Sequence, residues 1–149
     1  MSLISIASPE LKNIVLGEVE KARLPEPVSS DIKCYPGINQ DVDSMYFVRI
    51  LCGTSRENFL VSGSYAHLEF MYNPTKYTID NVNIGTGGRL SGKGVARRLV
   101  HIMENVGVLV DCKIIEITDN RAPLFWKNLG YIEIDEDYWI KIPAYKAFQ

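Results

Sequence analysis

The chain has 149 residues, 46% of them hydrophobic and 23% charged, with a formal net charge of −2. That length suits one compact domain spanning 1–149, able to bury roughly two-thirds of its unfolded surface without a metal or disulfide staple. The balance argues against a disordered chain. The acidic pI of about 5.7 argues against nucleic acid as the main partner, because phosphate contacts need a basic excess.

Cys34, Cys52 and Cys112 are widely spaced and odd in number, with no CxxC or Cys/His zinc spacing. They read as small reduced thiols, and no metal is expected. Residues 1–16 include Glu10 and Lys12 and lack the uninterrupted apolar core of a secretory signal. No apolar run approaches the roughly 20 residues of a membrane helix. A cytoplasmic protein with no membrane partner is the expectation.

In chain order, Ser8-Pro9-Glu10 reads as a helix start, with Ser8 as cap and Pro9 at the first helical position. Leu11, Ile14, Val15, Val19 and Ala22 recur at helical spacing until Pro25 and Pro27 end the element. Residues 29–43 show little periodicity and read as a loop, with room for a short helix or a substrate contact. Residues 45–52 (MYFVRILC) predict a strand, followed by a polar break over 53–58. Residues 59–72 predict a second strand, with Ala66, Leu68, Phe70 and Tyr72 on one face. Asn73-Pro74 turns the chain, and residues 77–85 predict a third. Connections this short make an antiparallel meander.

A glycine-rich stretch over 85–94 then leads into a helix. Val95, Leu99, Ile102, Met103 and Val106 form its apolar face, and Arg97, Arg98, His101, Glu104 and Asn105 its polar one, with Gly107 as the stop. Residues 113–118 (KIIEIT) suit a central parallel strand reached through that crossover helix. A helix over 121–129 ends at Gly130. Strands at 131–134 and 139–142 close the chain around Asp135-Glu136-Asp137. The result is a single α+β domain with a mixed, mainly antiparallel sheet flanked by helices.

Glycines between a strand and a helix let an anion approach the bared amides of a helix start, where the dipole is positive. Lys93, Arg97 and Arg98 add charge there. Read without a ligand, the same glycines form only a flexible turn. Residues 87–94 (GGRLSGKG) nearly spell the nucleotide loop G-x-x-x-x-G-K-[ST], but Gly94 replaces the hydroxyl that holds Mg²⁺. No apolar strand ending in a metal-binding Asp is evident, so nucleotide hydrolysis is not expected.

The run from Asn83 to Ala96 (NIGTGGRLSGKGVA) resembles the acetyl-CoA motif of the GNAT N-acetyltransferases. There a fourth strand leads through a [Q/R]-x-x-G-x-[G/A] loop into a helix. Residues 119–131 (DNRAPLFWKNLGY) resemble the family's second signature, an Asn-containing loop, an Ala, a Phe/Leu-Tyr pair and a closing Gly-Phe. Two motifs in order, covering about 77–131, are more specific than either alone. The resemblance implies transfer of an acetyl group from acetyl-CoA directly to a primary amine of a small molecule or protein. Backbone groups of Ile84, Gly85 and Thr86 would pair with the pantetheine arm like an extra strand. Amides of Ser91, Gly92, Lys93, Gly94, Val95, Ala96 and Arg97 would hold the pyrophosphate, and Asn120 and Phe125 would line the cleft. In the register that keeps the apolar helix face in phase, Gly94 and Ala96 fill the two small positions. Ser91 then stands where Gln or Arg is usual. A homodimer through the sheets is left open.

Acetyl transfer requires loss of a proton from the amine, polarisation of the thioester carbonyl and stabilisation of the leaving thiolate. Asp80 is the first candidate base. It stands where the histone-acetyltransferase branch carries its glutamate, and it is expected to share an apolar face with Val82 and Ile84 that would raise its pKa. Glu116 is second and Glu69 third, each also readable as a solvated strand residue. The family's acidic tyrosine falls at Trp126, whose indole N–H cannot usefully protonate a thiolate. Tyr131, Tyr138, a water or unassisted departure remain open, as does a regulatory module that binds CoA without turnover. His101 reads as a surface residue and His67 is undecided. The acidic pI and the acidic hairpin tilt towards a cationic acceptor.

Overall fold

The computed structural model describes residues 8–35, 45–53, 64–88, 90, 94–118 and 122–148. Helix α1 (Ser8–Ala22) is followed by four strands that pair antiparallel in chain order: β1 (Val28–Tyr35), β2 (Met45–Gly53), β3 (Ser64–Asn73) and β4 (Thr78–Gly88). Helix α2 (Val95–Leu109) carries the chain across the sheet, so β5 (Ile114–Ile117) lies parallel to β4, as a crossover requires. A short helix α3 (Pro123–Asn128) precedes the hairpin of β6 (Ile132–Asp135) and β7 (Tyr138–Lys141). β7 pairs with β5, giving a seven-stranded mixed sheet of order β1-β2-β3-β4-β5-β7-β6.

The two-residue period of the strands divides the sheet into unlike faces. Tyr46, Val48, Ile50 and Cys52 of β2 and Ala66, Leu68, Phe70 and Tyr72 of β3 are buried in one cluster with Leu11 and Val15 of α1. Leu99, Ile102, Met103 and Val106 of α2 join that cluster with no exposed surface. Burying each such side chain contributes about 1.5–3 kcal/mol, several times an exposed ion pair, so apolar packing holds α2 and its N-terminal end against the sheet. The opposite face carries Tyr65, His67, Glu69 and Met71, all half-buried.

Several elements depart from the sequence reading. Residues 29–35, expected as loop, belong to edge strand β1; its side chains are mostly exposed, so no apolar alternation marks it. The predicted strand over 59–72 is Ser64–Asn73, with 59–63 outside the described residues. β4 runs on to Gly88 rather than ending at Gly85. Gly107 does not stop α2, which continues to Leu109. A Cβ on Gly107 would lie 3.3 Å from Ile79 Cδ1, so this glycine permits close approach of helix to sheet. The expected 121–129 helix is the shorter Pro123–Asn128, with Arg121 outside the described residues, and the last two strands shift by one residue.

Glu104 and Asn105, expected on the polar face of α2, are buried at 2% and 0% exposure. Glu104 accepts from Lys141 Nζ at 3.0 Å. Asn105 donates to buried Glu18 at 3.0 Å and also brackets the main chain of Lys146, accepting from its N–H and donating to its C=O, both at 2.8 Å. Glu18, Glu104 and Asn105 therefore each have a partner, and the C-terminal segment is fastened along α2. Among the described residues no helix is long and apolar enough to cross a membrane.

Candidate functional site

β4 and β5 touch only at their starts. Lys113 N–H donates to Tyr77 C=O at 2.7 Å, Thr78 pairs with Ile114 and Ile79 with Ile115, and the parallel ladder ends there. β4 continues to Gly88, so from Asp80 onwards its edge towards β5 is not used by that strand. On such an edge every second residue directs its N–H and C=O into the gap.

The parting coincides with a bulge. The β3–β4 register shifts between Glu69 and Met71, so Asn81 and Val82 stand opposite Phe70 alone. Asn81 has φ +50, a left-handed conformation that asparagine tolerates. The extra residue reverses the side-chain phase. Asp80 pairs with Met71 and lies on the open face, whereas Ile79 and Val82 are buried beneath the helices. The expectation that Asp80 shares an apolar face with Val82 and Ile84 is therefore corrected; the bulge separates them.

Asp80 is nevertheless partly withdrawn from water. It is half-buried, and its Oδ1 is buried without a hydrogen-bond partner among the described residues. Its carboxyl lies above the ordinary 3.8, first because burial disfavours the charge and then because Glu116 adds a like charge, with Lys76 pulling the other way. Glu116 follows Ile115, the last residue of β5 paired to β4, so it stands beside Asp80 where the strands part. Its Oε1 accepts from the Tyr138 hydroxyl at 3.0 Å. That bond, more than burial, raises the Tyr138 hydroxyl above its usual 10.0. The structure thus brings both sequence candidates, Asp80 and Glu116, to one point and adds Tyr138 from β7. Glu69 is engaged elsewhere: Arg49 donates to it at 2.9 Å and Asn83 at 3.2 Å.

After β4 the chain runs on to α2. Leu90, buried, ties the loop after β4 into the core, and its N–H donates to Gly87 C=O at 3.4 Å. Gly94 precedes the helix at φ +77 and supplies no side-chain cap. The bond from Arg98 N–H to Gly94 C=O, 3.1 Å long, closes the first turn. The amides of Val95, Ala96 and Arg97 precede it and have no acceptor within the helix, leaving donors at the positive end of the dipole with no acceptor among the described residues. Val95 is buried, so its amide alone could serve a ligand; Ala96 is half-buried and Arg97 exposed. Ser91, Gly92, Lys93 and Asn120 lie outside the described residues.

Ile84, Gly85 and Thr86 pair with β3 but sit on the stretch of β4 that β5 leaves free, and are half-buried. The His67 ring lies over Gly85 so closely that a Cβ there would stand 2.7 Å from His67 Cε1. On the same face Arg49, Leu51, Tyr65, His67 and Glu69 enclose a small cavity of about 50 Å³. Phe125 is half-buried and meets Trp126 edge-on at 5.0 Å. Trp126 is 1% exposed and Tyr131 2%, packed edge-on against each other at 5.1 Å, so both belong to the core. Of the tyrosines considered as acids, Tyr138 alone borders the carboxyl pair. Among the described residues no three metal-ligating side chains converge.

Chemically, the arrangement offers a partly desolvated carboxyl for proton abstraction, a strand edge able to pair an extended ligand, and bared amides for an anion. The chain matches no protein-family model and no curated protein sequence.

Proposed function

We propose that the protein is an acetyl-CoA-dependent N-acetyltransferase with a GNAT-type fold, acting on a primary amine. One observation carries this reading. Two parallel strands part after Ile79 and Ile115, and the released edge of β4, which runs to Gly88, is followed in the chain by the start of α2 at Gly94, which has no side-chain cap among the described residues. An extended pantetheine arm can pair with that edge near Ile84, Gly85 and Thr86, while the amides of Val95, Ala96 and Arg97 take the pyrophosphate. The α+β element order and the two motifs resembling the GNAT family favour the same assignment.

In this reading the amine arrives as a cation on the open sheet face and gives its proton to Asp80. The free nitrogen attacks the thioester carbonyl, a new C–N bond forms, and the C–S bond breaks to release the thiolate. The Tyr138 hydroxyl, oriented by Glu116, can return a proton to sulfur, and the second proton shed by the acylated nitrogen restores the tyrosine. Burial raises the Asp80 carboxyl above its ordinary range and so makes it a stronger base than an exposed aspartate.

A second reading, a CoA-binding regulatory module, is favoured by one observation: Trp126, at the position of the family's acid, is sealed in the core. Thiol release from acetyl-CoA with a panel of amines separates the two. Binding itself is tested by melting the protein with acetyl-CoA or ATP. At about 100 times the dissociation constant, acetyl-CoA should add roughly 2.7 kcal/mol, a shift of several degrees. A smaller shift for ATP is expected; no shift with acetyl-CoA overturns both readings.

A further inference from the structure

We propose that the cavity between α2, the end of α3 and the C-terminal segment binds a phosphate monoester, the 3′-phosphate at the nucleotide end of the acyl carrier. This rests on the acetyl-CoA reading above. The cavity, of about 270 Å³, is walled by Arg97 and His101 of α2, Asn128 at the end of α3, Lys141 of β7 and Lys146 of the final segment.

Its charge is unbalanced. Lys141 is neutralised by Glu104 at 3.0 Å and also donates to Leu129 C=O at 2.7 Å. Arg97 and Lys146 have no ion-pair partner among the described residues. Both are exposed, but Lys146 is not loosely placed, because fully buried Asn105 bonds its N–H and its C=O. The resulting field is registered by His101, half-buried on the cavity wall. Its imidazole is pushed below the usual 6.5 by burial and then by Lys146, Lys141 and Arg97. In a chain of net charge −2, an uncompensated positive lining at one cavity is a local arrangement rather than a reflection of composition.

The position fits a ligand with two phosphate groups. Arg97 contributes its amide to the bared start of α2 and its side chain to the cavity. His101 stands one turn farther on, about 6 Å along the axis. A diphosphate at the helix start therefore has its ribose within reach of the cavity. A phosphate monoester carries nearly two charges at neutral pH and three acceptor oxygens. Arg97 and Lys146 supply charge, and neutral His101 can donate from one ring nitrogen.

Calorimetric titration of the intact protein with CoA and with 3′-dephospho-CoA tests this. Wild type should bind CoA about tenfold more tightly, the scale of one charge-assisted contact pair. Lys146→Gln should abolish that preference while leaving dephospho-CoA affinity and the melting temperature unchanged, and Arg97→Gln should reduce it. Adenosine 3′,5′-bisphosphate should compete and inorganic phosphate should not. Equal wild-type affinity for the two carriers, or a preference that survives Lys146→Gln, overturns the inference and leaves the acetyl-CoA reading standing. Competition by inorganic phosphate as strong as by the bisphosphate identifies a free-phosphate site and overturns the assignment to the carrier. Failure of both carriers to bind removes that reading and this inference with it.

Discussion

The Tyr138 hydroxyl donates a 3.0 Å hydrogen bond to Glu116 Oε1, joining β7 to β5 where β5 parts from β4. Glu116 is also, after burial, the second cause of the raised Asp80 carboxyl. A strand-to-strand contact therefore bears on the basicity of a third residue.

The pH dependence of acetyl transfer follows. Asp80 accepts a proton only when ionised, so kcat/KM should rise with pH through its elevated pKa. Replacing Glu116 by Gln removes a like charge, lowers the Asp80 pKa and moves the rising limb to lower pH. Asp80→Asn should cost about 10²–10⁴-fold in rate, the usual weight of general-base catalysis. A limb that stays in place in Glu116→Gln contradicts the coupling.

The same carboxyl should cost the fold stability. A carboxyl whose folded-state pKa is raised binds its proton more tightly folded than unfolded. Its contribution is full below the unfolded pKa and is lost as pH rises through the folded value. Asp80→Asn, which carries no charge, should melt higher than wild type at pH 7. The difference should fade as pH drops below the ordinary 3.8. Thermal scans across that range read the sign directly.

The Lys141–Glu104 pair should behave as a buried ion pair. The Glu104 side chain is 2% exposed and that of Lys141 24%. Lys141→Met strands a buried carboxylate and should cost about 3–5 kcal/mol, on the order of 10 °C in melting temperature. Lys141→Met combined with Glu104→Leu should recover much of that loss, because no unpaired charge remains. Additive costs in the double variant would show that the pair is not coupled.

Gly85 lies beneath the His67 ring with no room for a side chain. Gly85→Ala should force the ring aside and destabilise by about 1 kcal/mol, the lower range for overpacking. His67→Ala should rescue it, since the obstructing atoms are side-chain atoms alone. Urea denaturation of the two single variants and the double gives the coupling.

Much of the fold was legible from local pattern. The alternation of Ala66, Leu68, Phe70 and Tyr72 and the helical spacing of Val95, Leu99, Ile102 and Val106 survive in the structure because side-chain direction follows the backbone period. Asp80 and Glu116 were legible as candidates because each carboxylate interrupts a predicted strand, and the fold brings them together. β1 was missed because an edge strand with exposed side chains leaves no apolar signal.

Sequence alone therefore determined the elements other than β1, their order and the glycine-rich entry to α2, all properties of neighbours along the chain. Tertiary structure decided the rest. The bulge at Asn81 turned Asp80 to the open face, packing of α1 and the C-terminal segment buried Glu18, Glu104 and Asn105, and the core closed over Trp126. These outcomes depend on what lies opposite each residue across the sheet or between helices, and one extra residue in a strand is enough to reverse them.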